Sequence, residues 1–409
     1  MTYLVGVVQF PGSNCERETK IALERANLTP IDIFWFDDIK KLKQCDAFVI
    51  VGGFSFEDRS RSGVIAAHDA IMKALLHEAQ TGKFILGICN GAQILVESGL
   101  VPGCINAENE LQVVMALAHN RRIKHNEIIG TGFYNDWVYI KPANSAATQM
   151  IRIPVAHAEG RFLMLDNLYA ELKKSNVALW QYVDSSGYVD PNFPINPNGS
   201  DQNLAAVGNF SGNILAIMPH PERTQHGDFI FNEMKQYIEN QKQKSFQFKW
   251  IVKNSIRQVN INTREDHFTK KYFVKLMITD NEAVTVQMAF EKMGLNLNVQ
   301  KYRFWGMNCD PMDCIKIESA HELWNAKKEK VFLHLPEKQN TQFILVTDLG
   351  DTVAEKKLSR LRNLHHATTL QNLKTGVVWQ LTGSKEIISK AIDSAILFNT
   401  ISQEFFYVQ

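Results

Sequence analysis

The chain has 409 residues, a length that accommodates two or three domains. It is 45% hydrophobic and 21% charged, a composition typical of globular proteins. Its formal net charge is only +1, so overall charge does not favour binding to nucleic acid or to an anionic membrane. No apolar run is long enough to span a bilayer, and the first residues lack the basic start and apolar core of a secretory signal. We therefore expect neither nucleic acid nor a membrane among its partners.

Six cysteines are scattered along the chain without zinc-finger or Cys-x-x-Cys spacing: Cys15, Cys45, Cys89, Cys104, Cys309 and Cys314. Few, dispersed cysteines in a chain of this length are typical of the reduced cytoplasm, which is the location we expect. Cys309 and Cys314 share a polar turn, where a metal site would need two further ligands that we do not find. We therefore expect free thiols there, and neither a metal nor a cofactor in this chain.

The N-terminal part alternates apolar strands with helices, and Ser13 is expected to be the N-cap of the first helix. Near-continuous apolar strands between helices are typical of a parallel sheet covered on both faces. The predicted fold class is therefore α/β, a doubly wound and mostly parallel sheet. The predicted strands lie at residues 3–10, 31–36, 47–51, 84–88, 138–141, 153–156, 178–182, 204–207 and 213–218, and the first two helices at 12–26 and 64–78.

A Gly-x-Cys-x-Gly turn stands at the centre of this pattern. The buried strand 84–88 runs into Gly87-Ile88-Cys89-Asn90-Gly91, and an amphipathic helix follows. This is the nucleophile-elbow pattern with cysteine in place of serine. It puts Cys89 at a helix N-terminus, where backbone N–H groups and the helix dipole favour a thiolate. The alternative is a structural cysteine at the end of a strand.

Further turns are expected at the same edge of the sheet as Cys89, because ligands in such sheets bind at the carboxyl ends of the strands. These are the turn at 10–14 and the turn at Gly52-Gly53, and His220-Pro221-Glu222 follows the end of a later apolar strand. Residues two apart in an extended segment point the same way, so the Glu222 carboxylate can orient the His220 imidazole. A thiol, a base and an orienting carboxylate complete a catalytic triad. Taken alone, a histidine after a strand is more often a packed or surface residue.

Six motifs occur in order along the first 240 residues: FPGSNCER at 10–17, GGFSF at 52–56, GICNG at 87–91, AHAEGRF at 156–162, NPNGS at 196–200 and MPHPER at 218–223. Together they closely resemble the class I, triad-type glutamine amidotransferases. Within that class they are similar to the glutaminase-component family of phosphoribosylformylglycinamidine synthase, and the 10–17 and 196–200 segments are the most specific to it. The resemblance implies a flavodoxin-like fold over residues 1–240.

The resemblance also implies an activity, the hydrolysis of L-glutamine to glutamate and ammonia through a glutamyl thioester. Cys89 would be the nucleophile, His220 would relay the proton to the leaving ammonia, and Glu222 would hold His220. The implied oxyanion donors are the backbone N–H groups of Gly53 and Asn90, and one such donor is typically worth about 3 kcal/mol of barrier. Gly52 and Gln93 are further substrate-site candidates, although Gln93 could equally be a helix-surface amide.

The implied partner is the synthetase subunit of the same synthase, which would use the ammonia and would bind ATP and magnesium itself. Two segments depart from the family pattern. Glu57-Asp58-Arg59 stands where the family commonly shows Gly-Asp, and Asp136 replaces an arginine. Neither departure touches the triad, so we expect them to affect partner docking. His157 and Glu159 are expected to have a supporting role only.

A polar stretch at 241–268 is predicted to be a linker, and two copies of one small α+β unit follow at 269–336 and 340–409. Each copy is predicted to run strand, helix, strand, helix, strand, with a short second helix at 320–326 in the first copy. The second copy resembles the small subunit of the same synthase, which implies a fused pair in place of that subunit's dimer. The alternative is an unrelated appended domain.

Two other functions remain open from the sequence. One is a triad amidotransferase that serves a different synthetase, and the segment at 196–200 argues against it. The other is a chaperone, redox sensor or binding protein of the Cys-elbow superfamily. Members of that superfamily often carry histidine directly after the cysteine, whereas Asn90 occupies that position here.

Overall fold

The computed structural model describes residues 3–143, 149–240 and 268–408, together with the backbone of 249–250. The chain divides into two compact units, Met1–Arg257 and Gln258–Gln409. The segment predicted to be a linker, 241–268, lies almost entirely outside the described residues. None of the helices in the described ranges is long and apolar enough to cross a membrane.

The N-terminal unit is an α/β structure. Its strands are β1 Leu4–Gln9, β2 Thr29–Phe34, β3 Ala47–Ile50, β4 Phe84–Ile88, β5 Cys104–Ile105, β6 Leu111–Gln112, β7 Met115–His119, β8 Arg121–Lys124, β9 Glu127–Thr131, β10 Tyr134–Pro142, β11 Ile151–His157, β12 Glu159–Met164, β13 Leu179–Val183, β14 Leu204–Gly208, β15 Ile214–Ile217 and β16 Lys249–Trp250. Its helices are α1 Glu16–Arg25, α2 Val64–Ala67, α3 Ala70–Gln80, α4 Asn90–Glu97, α5 Leu168–Lys174 and α6 Asp228–Glu239.

Nine of these strands form one sheet in the order β11-β10-β13-β14-β15-β4-β3-β1-β2. The five strands from β15 to β2 are parallel, and the other four extend the sheet in antiparallel fashion. All four residues of β3 are fully buried, so both faces of the sheet are covered there. The predicted fold class is confirmed, and the parallel strands bring the ends of β1, β3, β4 and β15 to one edge.

Two predictions about the first helices are wrong. The helix expected at 64–78 is divided into α2 and α3, because the Asp69 side chain accepts a hydrogen bond from the Ile71 N–H and caps a new helix. Ser13 does not cap α1, which begins only at Glu16 after Cys15. The Ser13 Oγ instead accepts the Phe10 N–H at 3.0 Å and closes the turn after β1.

The C-terminal unit contains two successive β-α-β-α-β segments, in agreement with the predicted duplicated α+β region. The first comprises β17 Lys270–Leu276, α7 Asn281–Lys292, β18 Asn298–Asn308, α8 Pro311–Ser319 and β19 Glu329–Phe332. The second comprises β20 Thr341–Asp348, α9 Thr352–Leu364, β21 Asn372–Thr382, α10 Lys385–Asp393 and β22 Gln403–Val408. Side chains of Asp280, Asp310, Asp351 and Ser384 cap the four helices.

These six strands form one antiparallel sheet in the order β19-β17-β18-β21-β20-β22. The second strand of each segment lies at the centre, and the first and third strands follow outwards in the same order on both sides. The central pair β18–β21 is in register over its whole length, from Asn298 opposite Thr382 to Asn308 opposite Asn372. The unit is therefore close to two-fold symmetric about this pair.

Two predictions about the first segment are wrong. Its second helix is α8, which lies before the predicted range 320–326, because Asp310 accepts the Asp313 N–H and starts the helix there. Cys309 and Cys314 are joined in a disulfide and are not free thiols. They lie on either side of the start of α8 with their Cα atoms 6.1 Å apart, a separation that a disulfide can bridge.

Candidate active site

Cys89 occupies a sharp turn between β4 and α4. Its backbone angles are φ 51° and ψ −104°, outside the favoured regions for a residue with a side chain. The Cys89 N–H donates to the Ile217 carbonyl at 2.8 Å, and the Cys89 carbonyl accepts the Gln93 N–H at 3.1 Å. These hydrogen bonds fix the strained turn to β15 on one side and to α4 on the other. Backbone strain of this kind is concentrated at functional sites.

Glycines on both sides of Cys89 allow the turn to pack. A Cβ added at Gly87 would lie 2.5 Å from the Gly91 carbonyl oxygen. A Cβ added at Gly91 would lie 2.0 Å from the carbonyl oxygen of Ile50, at the end of β3. The Gly-x-Cys-x-Gly pattern is thus a steric requirement for placing α4 directly against β4 and β3.

His220 and Glu222 follow the end of β15, where a 3-10 turn begins at Pro221. The His220 Nδ1 lies 2.6 Å from the Glu222 Oε1, and both side chains are almost fully buried. The His220 Nε2 is also buried and makes no hydrogen bond to any residue that the structure describes. Burial opposes protonation of His220, but the charge of Glu222 and interactions with neighbouring thiols raise its pKa well above the usual value.

Gly52 marks the point where the turns after β3, β4 and β15 meet. A Cβ added at Gly52 would lie 3.3 Å from the His220 Cε1 and 3.5 Å from the Cys89 Cβ. The next residue, Gly53, has φ +144°, and its added Cβ would come 2.6 Å from the carbonyl oxygen of Gly12. The structure therefore brings the predicted residues Cys89, His220 and Gly52 together, and Gly53 is the next residue in the chain.

A buried amide network extends from the elbow along α4. The Asn90 Oδ1 accepts the Ser55 N–H at 3.0 Å, and the Asn90 Nδ2 donates to the Gln93 Oε1 at 2.8 Å. The Gln93 Nε2 donates to the Glu159 carbonyl oxygen at 2.6 Å. Gln93 is 5% exposed, so it is not the helix-surface amide that the sequence left open. Its contact with substrate stays a prediction.

Asp58 lies at the end of this network and was not among the predicted site residues. Its Oδ1 lies 3.4 Å from the Asn90 Nδ2. Burial, followed by the nearby charge of Glu159, raises its pKa to about 7. Phe56, Glu57 and Asp58 all have positive φ, so the loop is strained where the sequence departs from the family pattern. The departure from the family pattern at residues 57–59 was the feature of the sequence that could have pointed to Asp58.

His157 is a buried neighbour of the site. Its Nδ1 lies 3.2 Å from the Asn120 Oδ1, and burial together with the charge of His220 lowers its pKa to about 3. The Glu159 carboxylate lies beside His119 and the Ser62 N–H. His157 is therefore neutral at ordinary pH, which fits the supporting role expected for it.

Cys15 is the functional neighbour that sequence reasoning missed most clearly. Within the described parts of the chain, Cys15, His220 and Glu222 form one group with the spacing of metal ligands. The Arg223 Nη2 lies only 3.2 Å from the Cys15 Sγ, and a guanidinium there opposes a cation. The signal in the sequence was the position of Cys15 within the 10–17 motif.

The model of the CobB/CobQ-like glutamine amidotransferase domain family matches residues 3–252. The chain belongs to this glutamine amidotransferase family. Among curated members, it is 37% identical over 265 residues to the phosphoribosylformylglycinamidine synthase subunit PurQ of Methanothrix thermoacetophila, covering 58% of this chain and 99% of the relative. The corresponding subunit of Thermosynechococcus vestitus is 38% identical over 219 residues, covering 54% of this chain and 85% of the relative.

Among solved structures, this amidotransferase chain is similar to a chain in the structure of PurLQS from Thermotoga maritima. The two are 32% identical, and the match covers 59% of this chain and 99% of that chain with a TM-score of 0.44.

Proposed function

We propose that this chain is the glutaminase component of phosphoribosylformylglycinamidine synthase, acting in purine biosynthesis. The observation that carries the proposal is the placement of Cys89 on a strained elbow beside the buried His220–Glu222 pair, whose facing atoms lie 2.6 Å apart. PurQ subunits that match over the N-terminal unit support the choice of synthase. Cys89, His220 and Glu222 are the proposed catalytic residues.

In the first step the Cys89 sulfur attacks the carbonyl carbon of the glutamine side-chain amide. The His220 imidazole takes the thiol proton, and Glu222 holds the imidazole through Nδ1 and stabilises its charge. The raised pKa of His220 favours this protonated state.

In the second step a tetrahedral intermediate carries a negative oxygen. We propose that the backbone N–H groups of Gly53 and Asn90 donate to it, with Gly52 leaving room for the substrate between His220 and Cys89. His220 then gives its proton to the amide nitrogen, the C–N bond breaks and ammonia leaves. The product on the enzyme is a glutamyl thioester at Cys89. Water, deprotonated by His220, hydrolyses this thioester to glutamate and free thiol.

The ammonia is passed to a separate synthetase subunit, which is expected to bind ATP and magnesium. We propose that the C-terminal unit takes the place of the small-subunit dimer of such a synthase and holds the synthetase. The mirrored strand order of its sheet supports this, because two copies of one unit are joined as a dimer would be. We also propose a cytoplasmic location, since four of the six cysteines, Cys15, Cys45, Cys89 and Cys104, are buried and form no disulfide, whereas Cys309 and Cys314 do.

The replacement Cys89→Ala tests the proposal in the assembled synthase. We expect glutamine-dependent synthesis to be lost, because no nucleophile remains, and synthesis from added ammonia to be unchanged. Both rates are measured with the same synthetase preparation. Cys45→Ala, which removes a buried thiol just before β3, is the matched control and should keep both rates. Glutamine use by Cys89→Ala would disprove the assignment.

A further inference from the structure

A second buried cysteine, Cys15, lies beside the triad. It is the N-cap residue of α1 and is 2% exposed. Its Sγ, a ring nitrogen of His220 and a carboxylate oxygen of Glu222 all lie within 4.8 Å of one another. A Cβ added at Gly52 would come 3.1 Å from the Cys15 Sγ and 3.3 Å from the His220 Cε1. The missing side chain at Gly52 therefore lets the sulfur approach the imidazole.

Arg223 holds this sulfur in place. Its Nη2 donates a hydrogen bond to the Cys15 Sγ at 3.2 Å, and its Nε lies 3.7 Å from the Glu222 Oε1. The same guanidinium thus contacts the thiol and the carboxylate that both flank His220. Through these contacts, Cys15, Arg223 and Glu222 form one connected polar group beside the imidazole.

One nitrogen of the His220 ring is not already hydrogen-bonded to this polar group. Nδ1 is hydrogen-bonded to Glu222, whereas Nε2 is buried and has no hydrogen-bond partner within the described ranges. A buried imidazolium carries an N–H on both nitrogens, and leaving one unpaired is costly. The Cys15 sulfur lies within 4.8 Å of a ring nitrogen but makes no hydrogen bond to Nε2, so it acts on the imidazolium through the partial negative charge of its lone pairs.

Resting on the proposed glutaminase function, we propose that Cys15 is a positioning residue for His220. Its sulfur, held by Arg223, stabilises the protonated imidazole until the proton passes to the departing ammonia. Cys89 remains the nucleophile, and Cys15 forms no bond to the substrate.

The pKa of His220 is the quantity that measures the interaction between Cys15 and the imidazole. The groups facing the ring are Glu222 and Arg223 of its own turn, Cys15 at the start of α1, Cys89 at the elbow and His157 on β11. Burial lowers the pKa of His220, whereas Glu222 and the two thiols raise it. Without the Cys15 sulfur, His220 loses its proton at lower pH, so at alkaline pH a smaller fraction of the enzyme can protonate the departing amide nitrogen.

The test compares wild type, Cys15→Ser, Cys15→Ala and the control Cys45→Ala in full-length protein assembled with the synthetase. For Cys15→Ala we expect the alkaline limb of the pH profile of kcat for glutamine hydrolysis to move down by about half to one pH unit, the size expected for the loss of one polar group beside the imidazolium. We expect the KM for glutamine to stay unchanged. Cys15→Ser, whose hydroxyl oxygen keeps a partial negative charge near the ring, should show a smaller shift, and this variant decides the question if the alanine variant does not fold.

An unchanged alkaline limb in both Cys15 variants, or an equal shift in Cys45→Ala, overturns the inference. The NMR titration of the His220 ring gives a second readout that needs no substrate. A wild-type protein that hydrolyses no glutamine contradicts the proposed function, and the NMR titration then still decides whether Cys15 acts on His220.

Discussion

At the scale of single residues, the site depends on a few side chains that cannot be exchanged without moving their neighbours. Cys89, His220 and Glu222 come from two separate strand ends, and only the parallel pairing of β4 with β15 brings them together. A Cβ added at Gly52 would come into contact with both His220 and Cys89. Each of these residues therefore depends on the packing around it as well as on its own chemical group.

Asp58 gives a pH-dependent prediction. Its pKa is about 7 in the folded protein and near 4 when free, so the fold favours the protonated carboxyl. The stability from this group is fully present below pH 4 and is lost as the pH rises towards 7. Asp58→Asn should therefore gain thermal stability over wild type, and the gain should be larger at pH 8 than at pH 5.

Thermal unfolding curves at the two pH values measure this difference. The exposed neighbour Glu57 supplies the control, since Glu57→Gln removes a charge from the same loop at a solvent-facing side chain. An Asp58→Asn gain that is the same at both pH values would contradict the assignment of a raised pKa.

At the scale of secondary-structure elements, the position of α4 controls the nucleophile. Gly91→Ala would place a Cβ 2.0 Å from the Ile50 carbonyl oxygen, so α4 must move away from β3. We expect a loss of about 1–3 kcal/mol in the free energy of unfolding, typical of overpacking. We also expect slower alkylation of Cys89 by iodoacetamide, because the turn that presents the thiol is displaced.

Denaturant unfolding and the alkylation rate are measured on the same preparation. Wild-type values for both would mean that the close approach of Gly91 to β3 is not required. A normal alkylation rate with lowered stability would separate the packing of α4 from the presentation of the thiol.

Much of the site was predictable from sequence because its signals are local. The buried strand, the flanking glycines and the spacing from His220 to Glu222 each appear within a few residues. The break between α2 and α3 was not predicted, because an apolar periodicity runs through Asp69 and hides its capping role. Cys15 was missed because its approach to His220 depends on where α1 meets the turn after β15. The disulfide of Cys309 and Cys314 depends on where α8 begins, which the sequence pattern misplaced.

At the scale of the whole molecule, two compact units share one chain, and we propose different tasks for them. The N-terminal unit contains every proposed catalytic residue. It also includes the short pairing of Lys249–Trp250 with Cys104–Ile105, so a truncation that preserves it must end after residue 250.

A protein that ends at residue 257 should therefore fold and retain Cys89 reactivity, but it should couple poorly to the synthetase. The measurement is the ratio of glutamine-dependent to ammonia-dependent synthesis, compared with the full-length chain. Coupling at the full-length level by the truncated protein would show that the C-terminal unit does not hold the partner.

The mirrored sheet of the C-terminal unit has a consequence for stoichiometry and divergence. In a homodimer every substitution appears twice, so both halves of the surface must change together. Here β17–β19 and β20–β22 are encoded separately, so each half can accept substitutions that the other does not share. The pair cannot come apart on dilution, and it contributes one inseparable two-sided unit for each glutaminase.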